Sequence, residues 1–263
     1  MIFLIDAFTD EAFRGNPAGV CIMNEYPADD ILQKTAAYYN WSEISFLKKI
    51  DENKYQIRWF SPKDEAPLCG HATLAAAHAL FSNGIVNGKF IEFLYNSGEL
   101  HAKLNEDKSI TMLFPEKPVH KCESFNFSVE ELVGVSDYIE VVKDDLIHII
   151  VLTNDKDVEN AIPNFDAIKR VDTRAIAITA ASTNGFDFSS RYFAPSVGLY
   201  EDPVCGSMHC RLAYYWKHVL KKTEFRAYQA SKRSGILMLG VDSGLVKISG
   251  RAVTICSLKT GLI

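Results

Sequence analysis

Apolar and polar positions alternate with a period of two along most of this chain, broken by a few stretches of helical spacing, and that rhythm predicts a strand-rich protein. In the first half, Ile2–Ala7, Val20–Met23, Ser45–Lys48, Tyr55–Phe60, Phe90–Leu94, Glu99–Leu104 and Ile110–Phe114 read as strands. Between the first two, Arg14–Gly19 is rich in Gly, Asn and Pro and reads as a turn. Ala28–Asn40 has helical spacing through Ile31, Leu32, Thr35, Ala36 and Tyr39. Leu74–Phe81 is alanine-rich and apolar on every side, and Ser82-Asn83-Gly84 stops it. A helix apolar all round is a buried helix.

The second half opens at Ser128-Val129-Glu130-Glu131, whose spacing is that of a capping box. Ile139–Val142, Leu146–Leu152, Ala175–Thr179 and Phe188–Phe193 read as strands, Asn164–Val171 as a short helix, and Ser207–Leu220 as a long one. Leu237–Leu239, Leu245–Ile248 and Ala252–Leu258 are strand-like. Pro115-Glu116-Lys117-Pro118 suits a linker. The expected division is residues 1–116 and 117–263, with the C-terminal strand free to pack back onto the first half.

An internal repeat changes this picture from a list of elements to a plan. Arg58-Trp59-Phe60-Ser61-Pro62 recurs as Arg191-Tyr192-Phe193-Ala194-Pro195, and Pro67-Leu68-Cys69-Gly70 recurs as Pro203-Val204-Cys205-Gly206. Each second motif leads into a helix. The order is kept, although the second copy has three more residues between its motifs. A period this long is not that of a solenoid. It points to two related halves facing each other.

Composition narrows the class. Apolar residues make up 48% of 263 residues, enough for two sizeable cores. The net charge of −5 and the lack of a basic stripe argue against nucleic acid as a partner. Lys217, Lys221 and Lys222 sit at the end of the long helix, where cations complement its dipole. No apolar run approaches the roughly 18–20 residues that span a bilayer, and the N-terminal run breaks at Asp6, unlike a signal peptide. No membrane partner and a cytoplasmic location are expected. The six cysteines lack a Cys-x-x-Cys pair, so a disulfide scaffold is not expected.

Cys21, Cys122, Cys210 and Cys256 read as small packing residues. Cys69 and Cys205 are different, because each stands at a helix start followed by glycine. Free N–H groups and the dipole there favour an anion. They can lower a thiol pKa or hold a substrate carboxylate. If both helix starts serve one cleft, two acid/base groups can work on opposite faces of one substrate, with no metal or redox cofactor. Packing alone is the plainer account of each thiol taken singly.

Asp6-Ala7-Phe8 through Gly15-Asn16-Pro17-Ala18, Ser42-Glu43-Ile44-Ser45-Phe46, Cys69-Gly70-His71-Ala72-Thr73 and Glu201-Asp202-Pro203-Val204-Cys205-Gly206-Ser207 are marks of a family. On them the chain resembles the phenazine-biosynthesis PhzF-like proteins, relatives of diaminopimelate epimerase, over nearly its whole length. The resemblance implies an α+β fold of two pseudo-symmetric domains, each a largely antiparallel, β-barrel-like sheet around a central helix. It also implies an active site between the domains and a homodimer. The phenazine enzyme isomerises a dihydro-hydroxyanthranilate by proton transfer through a glutamate that matches Glu43. Its supporting residues match His71, Asp202 and Ser207, and backbone N–H groups near Gly70 and Gly206 would hold the substrate carboxylate. The epimerase instead uses two cysteines, which match Cys69 and Cys205, where the phenazine enzyme has none. This chain carries both sets.

Each of these residues has a plainer reading: an exposed turn glutamate for Glu43, a helix-start filler for His71, a turn residue for Asp202, a first-turn residue for Ser207. The expected function is a cofactor-independent isomerase moving a proton on a small carboxylate-bearing substrate. The alternative is a two-cysteine epimerase or racemase of an amino or related acid. A metal-dependent hydrolase using Cys69, His71, Cys205 and His209, or a small-molecule binding protein without catalysis, are further alternatives. Gly15-Asn16-Pro17-Ala18-Gly19 fits no nucleotide-binding loop.

Overall fold

Among the described residues four strand pairs run parallel, and each is separated in the chain by helix. A parallel neighbour needs a crossover rather than a hairpin, so these helices are the connections that make the pairs possible. The computed structural model describes residues 1–259. These divide into one unit of residues 1–113 and 247–259, and a second of residues 114–246.

In the first unit, Ile2–Ala7 pairs antiparallel with both Asn16–Met23 and Ala252–Leu258. The Asp29–Tyr39 helix then carries the chain across so that Asn16–Met23 runs parallel to Glu43–Asp51. A hairpin leads to Lys54–Phe60. The Gly70–Ser82 helix forms the next crossover, and Phe90–Tyr95 runs parallel to Lys54–Phe60. Gly98–Leu104 and Ile110–Pro115 follow antiparallel.

The second unit repeats this order. Tyr138–Lys143 pairs antiparallel with Ile147–Leu152. Ile147–Leu152 runs parallel to Ala175–Ala181 across the short helices Asp155–Asn160 and Phe165–Lys169. Phe188–Phe193 is antiparallel to Ala175–Ala181, and the Gly206–Leu220 helix carries the chain to its parallel neighbour Glu224–Gln229. Gly235–Asp242 returns antiparallel. The repeat noticed in sequence is therefore a repeat of strand, turn, helix and parallel strand.

The sheet in each unit is mixed: antiparallel pairs predominate, as expected, but two of the described pairs in each unit run parallel. The cause is the crossover helices, whose connecting role is invisible to residue alternation. The Gly70–Ser82 helix is buried from His71 through Ala77, and again at Ala79 and Leu80. Small alanines let the strands approach it closely, and it packs on Ile2–Ala7, Asn16–Met23 and Glu43–Asp51. In the second unit, Trp216 of the long helix stacks on Phe188 at 5.6 Å, and its ring N–H donates to the Thr179 hydroxyl at 3.1 Å.

Three local readings change. Asn16–Gly19 belongs to a strand, and the chain turns before it through Phe8, Phe13 and Gly15, whose φ angles are +64°, +68° and +64°. The helix begins at Gly70 rather than Leu74. Glu224–Gln229 is a strand where no element was expected. Among the described residues no helix is long and apolar enough to cross a membrane.

Candidate functional site

The start of a strand and the start of a helix bring three of the expected residues of the first unit together. Glu43 is the first residue of its strand, held in register opposite Ala18. Cys69 is the N-cap of the Gly70–Ser82 helix, in extended conformation, and His71 lies in the first turn. Glu43 Oε2 lies 3.1 Å from His71 Nε2, and the other ring nitrogen, Nδ1, lies 3.5 Å from Cys69 Sγ. The imidazole thus stands between a carboxylate and a thiol, presenting one nitrogen to each.

Neighbouring bonds fix this corner. The Thr73 hydroxyl donates to the Cys69 carbonyl at 2.6 Å, and the Ser45 hydroxyl donates to the Ala72 carbonyl at 2.8 Å. The first ties the helix start to its own cap; the second ties it to the strand that begins with Glu43. The Ser42 hydroxyl reaches Asn16 Oδ1 at 3.3 Å.

Electrostatics follow from this burial and pairing. Burial raises the Cys69 thiol pKa above its ordinary value, only partly opposed by His71. Burial by itself disfavours the charged form of His71, but Cys69 and Glu43 outweigh it and hold the imidazole pKa well above 6.5. The helix has no acidic residue in its first turn. Its start therefore carries no negative side chain of its own.

In the second unit the turn before the helix is held by Gln229 and by the Ser231 hydroxyl, which donates to the Pro203 carbonyl at 2.7 Å. Gln229 Oε1 accepts from the Cys205 amide at 2.8 Å, and Gln229 Nε2 donates to the Asp202 carbonyl at 2.7 Å. The Asp202 carboxylate accepts from the Val204 amide at 3.2 Å, and Cys205 Sγ lies 3.5 Å from the Ser207 hydroxyl. Asp202, Cys205, Gly206 and Ser207 thus form one connected turn. Burial drives the Cys205 thiol pKa far up, and Asp202 adds to it. Gln229 was not expected: it ends a strand that sequence alternation did not reveal, and a single buried glutamine carries no motif.

His209 lies in the core of the second unit, against an aromatic ring. Its Nδ1–H donates to the Cys205 carbonyl at 2.8 Å, and its ring is fully buried 6.1 Å from Phe188. The proposed Cys69–His71–Cys205–His209 ligand set thus loses a member to the core. Thr73 occupies the same position in the first copy and makes the same bond to Cys69. Donor atoms of Glu43, Cys69 and His71 do lie within 4.8 Å of one another. With one ring nitrogen on each neighbour, that grouping suits proton exchange through the imidazole better than shared ligation of an ion.

Comparison with known proteins places this geometry in a family. Residues 5–257 match the PhzC-PhzF model, described as phenazine biosynthesis-like protein. An uncharacterised isomerase of Pseudomonas aeruginosa is 40% identical over 251 residues, covering 95% of each chain. An uncharacterised isomerase of Halalkalibacterium halodurans is 38% identical, covering 97% of this chain and 96% of the relative. The crystal structure of a PhzF-family phenazine biosynthesis protein from Enterococcus faecalis superposes with a TM-score of 0.91 at 34% identity, over 97% of this chain and 96% of that one. The chain belongs to the phenazine biosynthesis-like PhzC-PhzF family, has the PhzF-like fold, and is an isomerase.

Proposed function

We propose that this isomerase moves a proton between two carbons of a small carboxylate-bearing molecule, with Glu43 as the acid/base and no cofactor. The observation that carries the reading is the His71 imidazole 3.1 Å from Glu43 and 3.5 Å from Cys69. A base that takes a proton and returns it elsewhere on the same face must stay fixed between the two events. The His71 imidazole, 3.1 Å from the carboxylate, holds Glu43 in one orientation for the transfer. Once Glu43 holds the substrate proton, the same contact limits its rotation. The free N–H groups at the start of the Gly70–Ser82 helix are suited to the substrate carboxylate.

The sequence repeat extends the proposal to Asp202, Cys205, Gly206 and Ser207 as the second set of contacts to the same substrate. A curved, barrel-like sheet around each central helix, a homodimer and a cytoplasmic location, all implied by the resemblance, remain part of the proposal. Sedimentation of the purified chain tests the dimer. The two-thiol epimerase reading is the weaker one, because burial and the neighbouring Asp202 drive the Cys205 thiol toward the neutral form, leaving only Cys69 with an imidazole beside it. Inversion by two thiols needs one of them ionised.

The test is a screen of small carboxylic acids in D2O, followed by NMR for exchange of a carbon-bound proton. Glu43→Gln is expected to abolish exchange, with Cys69→Ala/Cys205→Ala retaining most of it. Near-normal exchange in Glu43→Gln together with loss in the cysteine pair would overturn the assignment.

A further inference from the structure

The repeat holds a second pair of residues that the site does not use directly. In the first copy, Arg58 grips Glu65 with two parallel bonds, Nε to Oε1 at 2.8 Å and Nη2 to Oε2 at 2.7 Å. In the second, Arg191 grips Glu201 through the same atoms, at 2.7 and 3.1 Å. Each guanidinium lies over the aromatic ring two residues on, 5.1 Å from Phe60 and 5.0 Å from Phe193. Ala66 stands opposite Trp59, and the Asp202 amide donates to the Tyr192 carbonyl at 3.0 Å, so the flanking register is also the same. The arginine and glutamate are 7 apart in one copy and 10 in the other. The extra residues form a 3-10 turn at Pro195–Val197 and leave the grip unchanged.

Each gripped glutamate begins the segment that delivers a cysteine to a helix start: Glu65-Ala66-Pro67-Leu68-Cys69 and Glu201-Asp202-Pro203-Val204-Cys205. Proline inside each segment removes a backbone freedom. With the glutamate anchored, little is left to move between strand and helix. The arginines are largely covered, their side chains 14% and 11% exposed, which sets these pairs apart from solvent-facing ion pairs of small worth. Each also has a third arm: Arg58 Nη1 to Asp29 at 2.7 Å, and Arg191 Nη1 to the Ala161 carbonyl at 2.7 Å.

We infer that Arg58–Glu65 and Arg191–Glu201 are positioning pairs, each setting the angle at which its unit presents Cys69-Gly70-His71 or Cys205-Gly206-Ser207 for the isomerisation. The inference rests on the proposed site, but its test needs no turnover, so its failure is distinct from failure of that reading. The probe is iodoacetamide on the native, full-length protein, with alkylation of each cysteine followed by peptide mass spectrometry. Arg58→Gln is expected to speed alkylation of Cys69 by about tenfold and leave Cys205 unchanged; Arg191→Gln is expected to do the reverse. Arg58→Lys does not restore protection, because an ammonium cannot make the fork. The exchanged pair Arg58→Glu/Glu65→Arg restores it in part and guards against a single variant that fails to fold.

Lys54→Gln and Lys222→Gln break other ion pairs in the two units and serve as controls that leave both thiols as they were. In Arg58→Gln the His71 ring resonances are also expected to shift. Unchanged thiols in both arginine variants, or both thiols accelerating together in step with lost stability, would overturn the inference.

Discussion

Gln229 holds Cys205 in place from across the sheet: its carbonyl oxygen accepts the Cys205 amide at 2.8 Å while its amide nitrogen donates to the carbonyl of Asp202 at 2.7 Å. Gln229 and Cys205 are buried, so the Cys205 amide has no water as a substitute. Gln229→Leu fills similar space and removes both bonds. The expected loss is about 2–3 kcal/mol, the cost of leaving buried polar groups unmet. Urea unfolding measures it, and the Cys205 amide should exchange with solvent faster than in the parent. A loss below about 0.5 kcal/mol would show that the turn holds without the glutamine.

The long alternating and all-apolar runs were legible in sequence because they answer to one local rule each. Phe188–Phe193 and the centre of the alanine-rich helix needed nothing from the rest of the chain. The Glu224–Gln229 strand escaped because its buried face, Phe225, Ala227 and Gln229, ends on a polar residue. The Asp155–Asn160 helix offers only Val158 as an apolar position, too little for any period. Asn16, Pro17 and Gly19 looked like turn residues, yet they lie in a strand because the segment pairs with Ile2–Ala7 on one side and the Glu43 strand on the other. At the site, the repeated Cys-Gly helix starts were visible as a pattern. The Glu43–His71 approach was implied by the resemblance alone, since only a parallel crossover brings that strand start to that helix start.

The two helix histidines should titrate in opposite directions. His71 is held well above 6.5, whereas burial lowers His209 to about 4. A raised histidine stabilises fully below its unfolded value and loses that contribution as pH rises through its folded one. A lowered histidine stabilises above 6.5 and loses its contribution as pH falls toward 4. His209 alone should therefore cost about 2 kcal/mol between pH 7 and pH 5, at roughly 1.4 kcal/mol per unit. His209→Thr copies Thr73, keeps a donor for the Cys205 carbonyl, and should flatten this part of the acid slope. Ring-proton NMR gives the two midpoints directly, and Glu43→Gln should lower that of His71. A normal His209 midpoint, or a His71 midpoint indifferent to Glu43, would refute the corresponding half.

Gly19→Ala tests whether the start of the Glu43 strand is set by packing. Gly19 faces Ile44 in the parallel ladder, one residue beyond Glu43. A Cβ there would sit 2.6 Å from Trp41 Cε3 and 2.9 Å from Ile44 Cγ1. Trp41 cannot simply swing aside, because its ring is stacked on Tyr39 at 4.8 Å. Relief must come from a shift of the Trp41–Ile44 segment, which contains Glu43. The expected cost is about 1–3 kcal/mol of stability, as for other overpacked sites. The His71 ring resonances should move with it, because the carboxylate 3.1 Å from Nε2 is displaced. Gly88→Ala is the comparison: its nearest neighbour is the end of the Asn53 side chain at 3.1 Å, which can turn away, so stability and the His71 signals should both stay close to the parent. If Gly19→Ala leaves both unchanged, the close approach of Trp41 does not set the position of Glu43, and the hydrogen bonds of Ser42 and Ser45 must suffice to hold it.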